Sequence, residues 1–133
     1  MRKKLGLPIH AVLQLYDLLP EKERMITDML RQLVSENLPG YCKEKISFKV
    51  PFFYGNRGIC IIWPATIKGG GIREGVLLGF WQGNRLKGQD NFLTSGNNRK
   101  VFYKIYHSVE EIDPLPLLTI LAEAVKIDRE SGK

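Results

Sequence analysis

The chain has 133 residues, which is the size of one ordinary domain and enough to bury a core without disulfides or a structural metal. Hydrophobic residues make up 44% and charged residues 26%, a balance that excludes an intrinsically disordered chain. The formal net charge is +6, which favours anionic partners, although solubility alone would also explain a charge of this size. We therefore expect one folded domain over residues 7–130.

The first residues and the cysteines predict the compartment. Residues 1–8 are charged at the start, and no long apolar segment follows them, so neither a secretion signal nor a membrane-spanning helix is expected. The two cysteines, Cys42 and Cys60, have no Cys or His at metal-ligand spacing. We expect a cytoplasmic protein with reduced, buried thiols and no contact with a membrane.

Two helices are predicted at the N-terminal end, over residues 7–19 and 20–37. The first ends before Pro20, because a residue that precedes proline is pushed away from helical angles. The second has acidic residues in its first turn, where the helix dipole favours negative charge. Its apolar residues recur at spacings of three and four and predict a buried stripe, with Arg31 among the residues that face away. The stripe consists of Ile26, Met29, Leu30, Leu33 and Val34.

The middle of the chain predicts strands. Residues 46–50 alternate between apolar and polar side chains, as in a half-buried strand. Pro51 either ends this strand or marks it as an edge strand, because proline cannot donate to a ladder. Further strands are expected over residues 59–63, 76–81 and 100–107, and Asp113 is a good cap for a last helix that starts at residue 114. Consecutive strands joined by short loops pair antiparallel. The fold class is therefore α+β: an antiparallel sheet covered on one face, with two N-terminal helices and one C-terminal helix.

Three short motifs occur in a characteristic order. They are E-K-I-S-F-K-V-P-F-F at residues 44–53, L-G-F-W-Q-G at 78–83 and V-E-E-I-D at 109–113. Together they resemble the YdhG-like family of bacterial domains of unknown function over nearly the whole chain. The resemblance implies an intracellular α+β domain, and it raises a frataxin-like iron-chaperone role proposed for one branch. The family often has Arg-His before the last strand, whereas this chain has Arg99-Lys100, so no role of that histidine is transferred.

The sequence gives no sign of an enzyme. Neither histidine, His10 or His107, stands in a motif with Ser or Cys, and no nucleophile motif is present. We predict a non-enzymatic domain with no cofactor. Iron binding remains an alternative, because clustered carboxylates attract hard cations, but the helical acids are interleaved with Lys and Arg. We predict no specific metal site.

The middle of the chain is basic, with eight Lys or Arg and two acids over residues 51–109, and this charge suggests a binding function. Cationic and aromatic groups side by side can hold a phosphorylated or planar ligand through charge and stacking. We expect a small anionic or aromatic ligand, or a macromolecular partner, on a basic, aromatic-lined side of the sheet; nucleic acid is a second alternative, without any recognised motif. The alternative explanation is that the aromatic residues form core and the cations border it. The predicted binding residues are Lys49, Tyr54, Arg85, Arg99 and Lys104.

Overall fold

The computed structural model describes residues 9–86, 92–96 and 100–132, with side chains from residue 11 onward. Within these ranges the fold is α+β, as predicted, with two N-terminal helices, five antiparallel strands and one C-terminal helix. No described helix is long and apolar enough to cross a membrane. The elements are α1 (Ile9–Leu18), α2 (Glu21–Glu36), β1 (Lys43–Ser47), β2 (Val50–Tyr54), β3 (Gly58–Pro64), β4 (Val76–Phe80), β5 (Phe102–Tyr106) and α3 (Pro114–Ser131).

The strands lie in the sheet in chain order, β1-β2-β3-β4-β5, and each pairs antiparallel with its neighbours. Residues 48–49 and 55–57 are short turns that join the first three strands, and a tight hairpin joins antiparallel strands. Residues 65–75 and 81–101 are longer connections to β4 and β5. The apolar run of residues 59–63 falls in β3, at the centre of the sheet, and all of its residues except Trp63 are buried. A continuous apolar run is typical of such a covered, central strand. The cap of the last helix is also confirmed, since the Asp113 side chain accepts a hydrogen bond from the Leu115 N–H at 3.4 Å.

Helices α2 and α3 cover one side of the sheet, which we call the helix face. The main core lies between these two helices and the sheet. It consists of alternate strand residues together with the apolar stripes of both helices. Ile26, Leu30 and Val34 of the predicted stripe are buried there, whereas Met29 is 43% exposed. Burying such side chains stabilises the fold by roughly 1.5–3 kcal/mol each. The strand residues of this face include Phe53, Cys60, Ile62, Leu78, Phe80 and Tyr106.

The predicted single strand over residues 46–50 is wrong, because the chain reverses direction within it. Phe48 and Lys49 form a tight turn, with φ angles of 55° and 69°, and the flanking Ser47 and Val50 pair with each other. Two-residue hairpin turns require such positive φ values, and Gly or Asn normally supplies them. Here two bulky residues occupy the left-handed region, so the sequence carried no signal for the turn. The sheet consequently has five strands where four were expected.

Arg31 does not face away from the protein, contrary to the prediction. Its Nε donates to Glu44 Oε2 at 2.6 Å, and its Nη2 donates to Glu44 Oε1 at 2.8 Å. Its Nη1 also donates to the Tyr16 hydroxyl, which in turn donates to Asp28. Burial raises the pKa of Tyr16 to about 12, and the hydrogen bond to Asp28 adds to the rise. The network ties α1, α2 and β1 together.

Asp128 joins the last helix to the turn between β2 and β3. Its carboxylate, 4% exposed, accepts hydrogen bonds from the backbone N–H groups of Asn56 and Arg57, each at 2.8 Å, and from the Tyr41 hydroxyl at 2.7 Å. Gly55 lies so close that a Cβ there would collide with the carboxylate. A buried carboxylate with three donors is satisfied, so Asp128 has a structural explanation.

Candidate binding face of the sheet

The side of the sheet opposite the helix face is rich in aromatic side chains, and we call it the aromatic face. Strand alternation places every second residue there, and register across the strands brings these residues together. For example, Lys45, Phe52 and Ile61 are successive partners across β1, β2 and β3. The aromatic rings are all partly exposed. They belong to Phe52, Tyr54, Trp63, Trp81 and Tyr103. Three of them pack against a second, smaller buried cluster, in which Leu15 and Leu19 of α1 meet the sheet.

A groove of about 280 Å³ lies on this face. Buried Ile61 and Leu77 form its floor, and the half-buried rings of Trp63, Trp81 and Tyr103 form its walls. Its volume is near the lower end of the roughly 300–1,000 Å³ that is typical of small-molecule sites. The remaining lining residues are uncharged as well, so the groove suits an apolar or planar group. They are Gly69, Gly70, Gly71, Ile72 and Val101.

The three glycines are a built part of the groove. A Cβ at Gly69 or Gly70 would lie 2.6 Å from the Trp63 ring, so the loop backbone lies directly against the indole. The indole Nε1 donates to the Ile67 carbonyl at 2.7 Å, and the ring of Phe48 stacks on Trp63 with centroids 6.3 Å apart. Trp63 is thereby held in one orientation.

A second cluster of rings adjoins the groove. The rings of Phe52 and Tyr54 stack with centroids 6.0 Å apart and an interplanar angle of 18°. The Lys45 ammonium lies 5.3 Å from the Phe52 centroid and 5.2 Å from the Tyr54 centroid, within the range of a cation–π interaction. Phe52 also contacts Trp81, at 5.7 Å between centroids. This contact connects the two clusters.

Positive charge is concentrated in the sheet and its loops. Between residues 43 and 107 the described chain has nine Lys or Arg and only two acids, of which Glu44 is buried and paired. The segments of α2 and α3, which form the helix face, have the opposite balance, with ten acids and five bases over residues 21–36 and 110–131. The sheet therefore attracts anions, and α2 and α3 repel them. Five exposed cations lie on the aromatic face or directly beside groove residues: Lys43, Lys45, Lys68, Arg73 and Lys100.

Two predicted binding residues border the aromatic face. Tyr54 lies on it, in the ring cluster with Lys45. Lys49 is exposed in the hairpin turn at the other end of β2, where it lines a separate concavity with Phe48 and Lys68. Five residues of strand separate Lys49 from Tyr54 by roughly 17 Å, so the two do not share one small-ligand site.

The other predicted binding residues lie elsewhere. Lys104 is on the helix face, with its ammonium 5.3 Å from the Phe92 centroid and 5.6 Å from that of Tyr106. Arg85 lies 3.9 Å from Glu130 of α3, and both side chains are about half exposed. Arg99 lies outside the described residues. The structure thus does not bring the four described residues of the predicted set together.

Sequence reasoning missed Lys45 and Trp63 as members of this face. The strand predicted over residues 100–107 places Tyr103 and Lys104 on opposite faces by simple alternation, but no comparable signal fixed the faces of β1 and β2. Because a shift of one residue in register moves every side chain to the other face, the hidden turn at Phe48 prevented Lys45 from being placed beside Phe52. The relevant signal was the equal spacing of Lys45 and Phe52 from that turn.

Neither a metal site among the described residues nor a known relative points to another function. Within the described ranges, no three His, Cys, Asp or Glu side chains are gathered so that they could hold a metal ion. Comparisons with protein-family models, with curated proteins and with solved structures gave no match. The YdhG-like resemblance therefore stays a prediction, and the candidate function rests on the aromatic face alone.

Proposed function

We propose that this protein is a non-enzymatic binding domain that holds a small aromatic anion on the aromatic face of its sheet. The observation that supports this most strongly is the uncharged, ring-walled groove with exposed cations beside it. A planar ring enters the groove, and its anionic group pairs with a neighbouring cation. In this proposal the domain is a cytoplasmic YdhG-like protein.

The groove supplies the ring contacts. Trp63 is fixed by the glycine loop and by its hydrogen bond to Ile67, so little conformational entropy is lost when a ligand ring packs against it. Trp81 and Tyr103 provide further aromatic surface. Stacking on such rings is worth roughly 1–3 kcal/mol per base-sized group. Rigid aromatic walls therefore favour a planar ligand over a flexible aliphatic one.

The cations supply the second element of recognition. Lys68 directly precedes the glycine loop, Arg73 directly follows Ile72, and Lys100 directly precedes Val101; all three side chains are exposed. An anionic group on the ligand can reach them from the groove mouth. Because these charges are exposed, their attraction weakens as salt is added. We expect binding to be strongest at low ionic strength.

The chain offers a direct optical test. It has only two tryptophans, and both line the groove, so selectively excited tryptophan fluorescence reports on this site alone. We propose titration with p-nitrophenyl phosphate, a planar anion that quenches indoles on stacking, with p-nitrobenzyl alcohol and inorganic phosphate as partial ligands. Saturable quenching by the phosphate ester, weakened by salt and weaker for either partial ligand, is the expected result.

A pair of variants localises the effect. Tyr103→Ala removes one wall of the groove without removing a tryptophan and should weaken binding about tenfold, the equivalent of one lost stacking contact. Leu115→Ala, at a 75% exposed position on α3, should leave the titration unchanged. Purely collisional quenching at low salt, or equal affinities in all three proteins, would refute the proposal.

A further inference from the structure

We infer that the natural ligand of the aromatic face is a single-stranded nucleic acid, bound through two base-stacking sites with phosphates on the flanking cations. This inference rests on the proposed function, since it uses the same face, and it specifies the ligand class. A small aromatic anion needs one ring site and one cation. The aromatic face has two ring sites, and five exposed cations lie on it or next to groove residues in the chain.

The two ring sites are distinct but contiguous. The first is the stacked pair of Phe52 and Tyr54 on β2. The second is the groove between Trp81, at the end of β4, and Tyr103 on β5. The Phe52–Trp81 contact at 5.7 Å joins them. Because every base has a π-face, successive bases of a strand can stack on both sites without sequence recognition.

The distance between the sites requires an extended ligand. Tyr54 and Tyr103 are on strands three positions apart in the sheet order, and adjacent strands are separated by about 4.8 Å. The two rings are therefore roughly 14 Å apart across the sheet. A single planar molecule of groove size cannot contact both rings, whereas a chain of nucleotides can.

The cations occur where the backbone of such a chain would leave the rings. Lys43 and Lys45 are exposed on β1, beside the first ring site, since they pair with Tyr54 and Phe52. Lys100 precedes β5, beside the second site, and the loop cations Lys68 and Arg73 flank the glycines. Charges at both ends of the stacking surface match a ligand with one negative charge per nucleotide.

The rest of the molecule restricts binding to this face. The segments of α2 and α3, residues 21–36 and 110–131, have ten acids against five bases, so a polyanion is repelled from that side. The one exposed acid among the described residues 43–107 is Glu74, next to Arg73 in the loop. A polyanion is thus attracted to the aromatic face, where the exposed rings also lie.

The test compares ligands of increasing length. Fluorescence anisotropy is measured with labelled oligothymidylate and oligouridylate of about two to about ten nucleotides, beside thymidine monophosphate as competitor. We expect affinity to rise at least about tenfold once the strand can reach both sites, as one added stacking contact requires. Comparison of the deoxyribose and ribose series shows whether DNA or RNA is preferred.

Two matched substitutions assign the contacts. Lys45→Ala should weaken the binding of the longer oligonucleotides. It should also reduce the magnitude of the slope of log affinity against log salt by about 0.7, the contribution of one single-strand phosphate. Lys126→Ala removes another exposed lysine, on α3, and should change neither value. Tyr54→Ala should abolish the gain with length while the affinity for thymidine monophosphate, which needs only the groove, persists.

The outcomes separate this inference from the proposed function. If nitrophenyl phosphate quenches saturably but oligonucleotides gain nothing with length, the small-ligand function stands and the nucleic-acid inference is wrong. A length effect that survives the combined Lys45→Ala and Tyr54→Ala changes also overturns the inference, because the strand would then lie elsewhere. If neither class of ligand binds at low salt, both proposals are wrong.

Discussion

Arg31 of α2 and Glu44 of β1 form a two-point ion pair, with Nε 2.6 Å from Oε2 and Nη2 2.8 Å from Oε1. The Glu44 side chain is 1% exposed and that of Arg31 is 12% exposed. Glu44 points to the helix side of β1, whereas its neighbour Lys45 lies over the rings of the aromatic face. The ion pair therefore fixes the edge strand from which Lys45 reaches Phe52 and Tyr54.

Glu44→Gln should lower the free energy of unfolding by about 3 kcal/mol, because it leaves a largely buried guanidinium without its counter-charge. Chemical denaturation measures this change. Arg85→Gln is the control: it disrupts an exposed pair at 3.9 Å, and we expect less than about 1 kcal/mol. Equal effects of the two substitutions would show that the buried pair is no stronger than a surface one.

Lys49→Gly should raise the free energy of unfolding by about 1 kcal/mol. Lys49 has a φ of 69°, and a non-glycine residue in the left-handed region costs roughly 1–2 kcal/mol; the greater freedom of glycine in the unfolded chain offsets part of this gain. Ser47→Gly, in the adjacent strand, relieves no positive φ and should therefore lower the free energy of unfolding. A loss of stability in Lys49→Gly would contradict the two-residue turn.

That turn marks the limit of what could be predicted from the sequence. The helices, the central strand and the alternation of β5 follow from apolar periodicity and from the Asp113 cap, all of which are local. The reversal at Phe48 and Lys49 has no local signal, because the backbone conformation of the turn is locally unfavourable for both residues. Such a conformation persists only where the surrounding structure holds it, and the stack of Phe48 on Trp63 is one such tertiary contact. Without the turn, the register of β1 and β2 was undetermined.

The candidate site was predictable in kind but not in its members. The abundance of Lys and Arg near aromatic residues suggested a basic, aromatic-lined side of the sheet. One face of the sheet does have partly exposed rings and exposed cations, and its binding function stays a prediction. Which cation meets which ring depends on strand register, a non-local property. Tyr54 was therefore chosen without its partner Lys45, and Lys104 was grouped with it although Lys104 contacts Phe92 and Tyr106 on the helix face.

Asp128→Ala should lower the free energy of unfolding by about 3 kcal/mol, since it removes a carboxylate that accepts from Asn56, Arg57 and Tyr41 and leaves two backbone N–H groups without this acceptor. Thermal and chemical denaturation both report the loss. Glu130→Ala, two residues further along α3 and exposed, should change the free energy by less than about 0.5 kcal/mol. A neutral Asp128→Ala would show that water replaces the carboxylate.

The buried thiols predict a loss of stability in alkali. Burial, together with the charge of Asp128, raises the pKa of Cys42 from 9.0 to about 11. The native state therefore retains a proton that the unfolded chain releases, so this contribution to stability is complete below pH 9 and is lost as the pH rises from 9 to 11. In Cys42→Ala, the free energy of unfolding should decline less steeply over that pH interval. An identical slope in both proteins would contradict a buried, protonated thiol.

The aromatic face as the binding surface is tested most directly by nuclear magnetic resonance of the isotope-labelled protein, titrated at low salt with p-nitrophenyl phosphate and then with a short oligothymidylate. The small ligand should shift amide signals around the groove, at Trp63, Gly70 and Tyr103. The oligonucleotide should extend those shifts to Lys45 and Tyr54, and neither ligand should move the signals of α3. Shifts confined to α2 and α3, or no shifts with either ligand, would contradict the account.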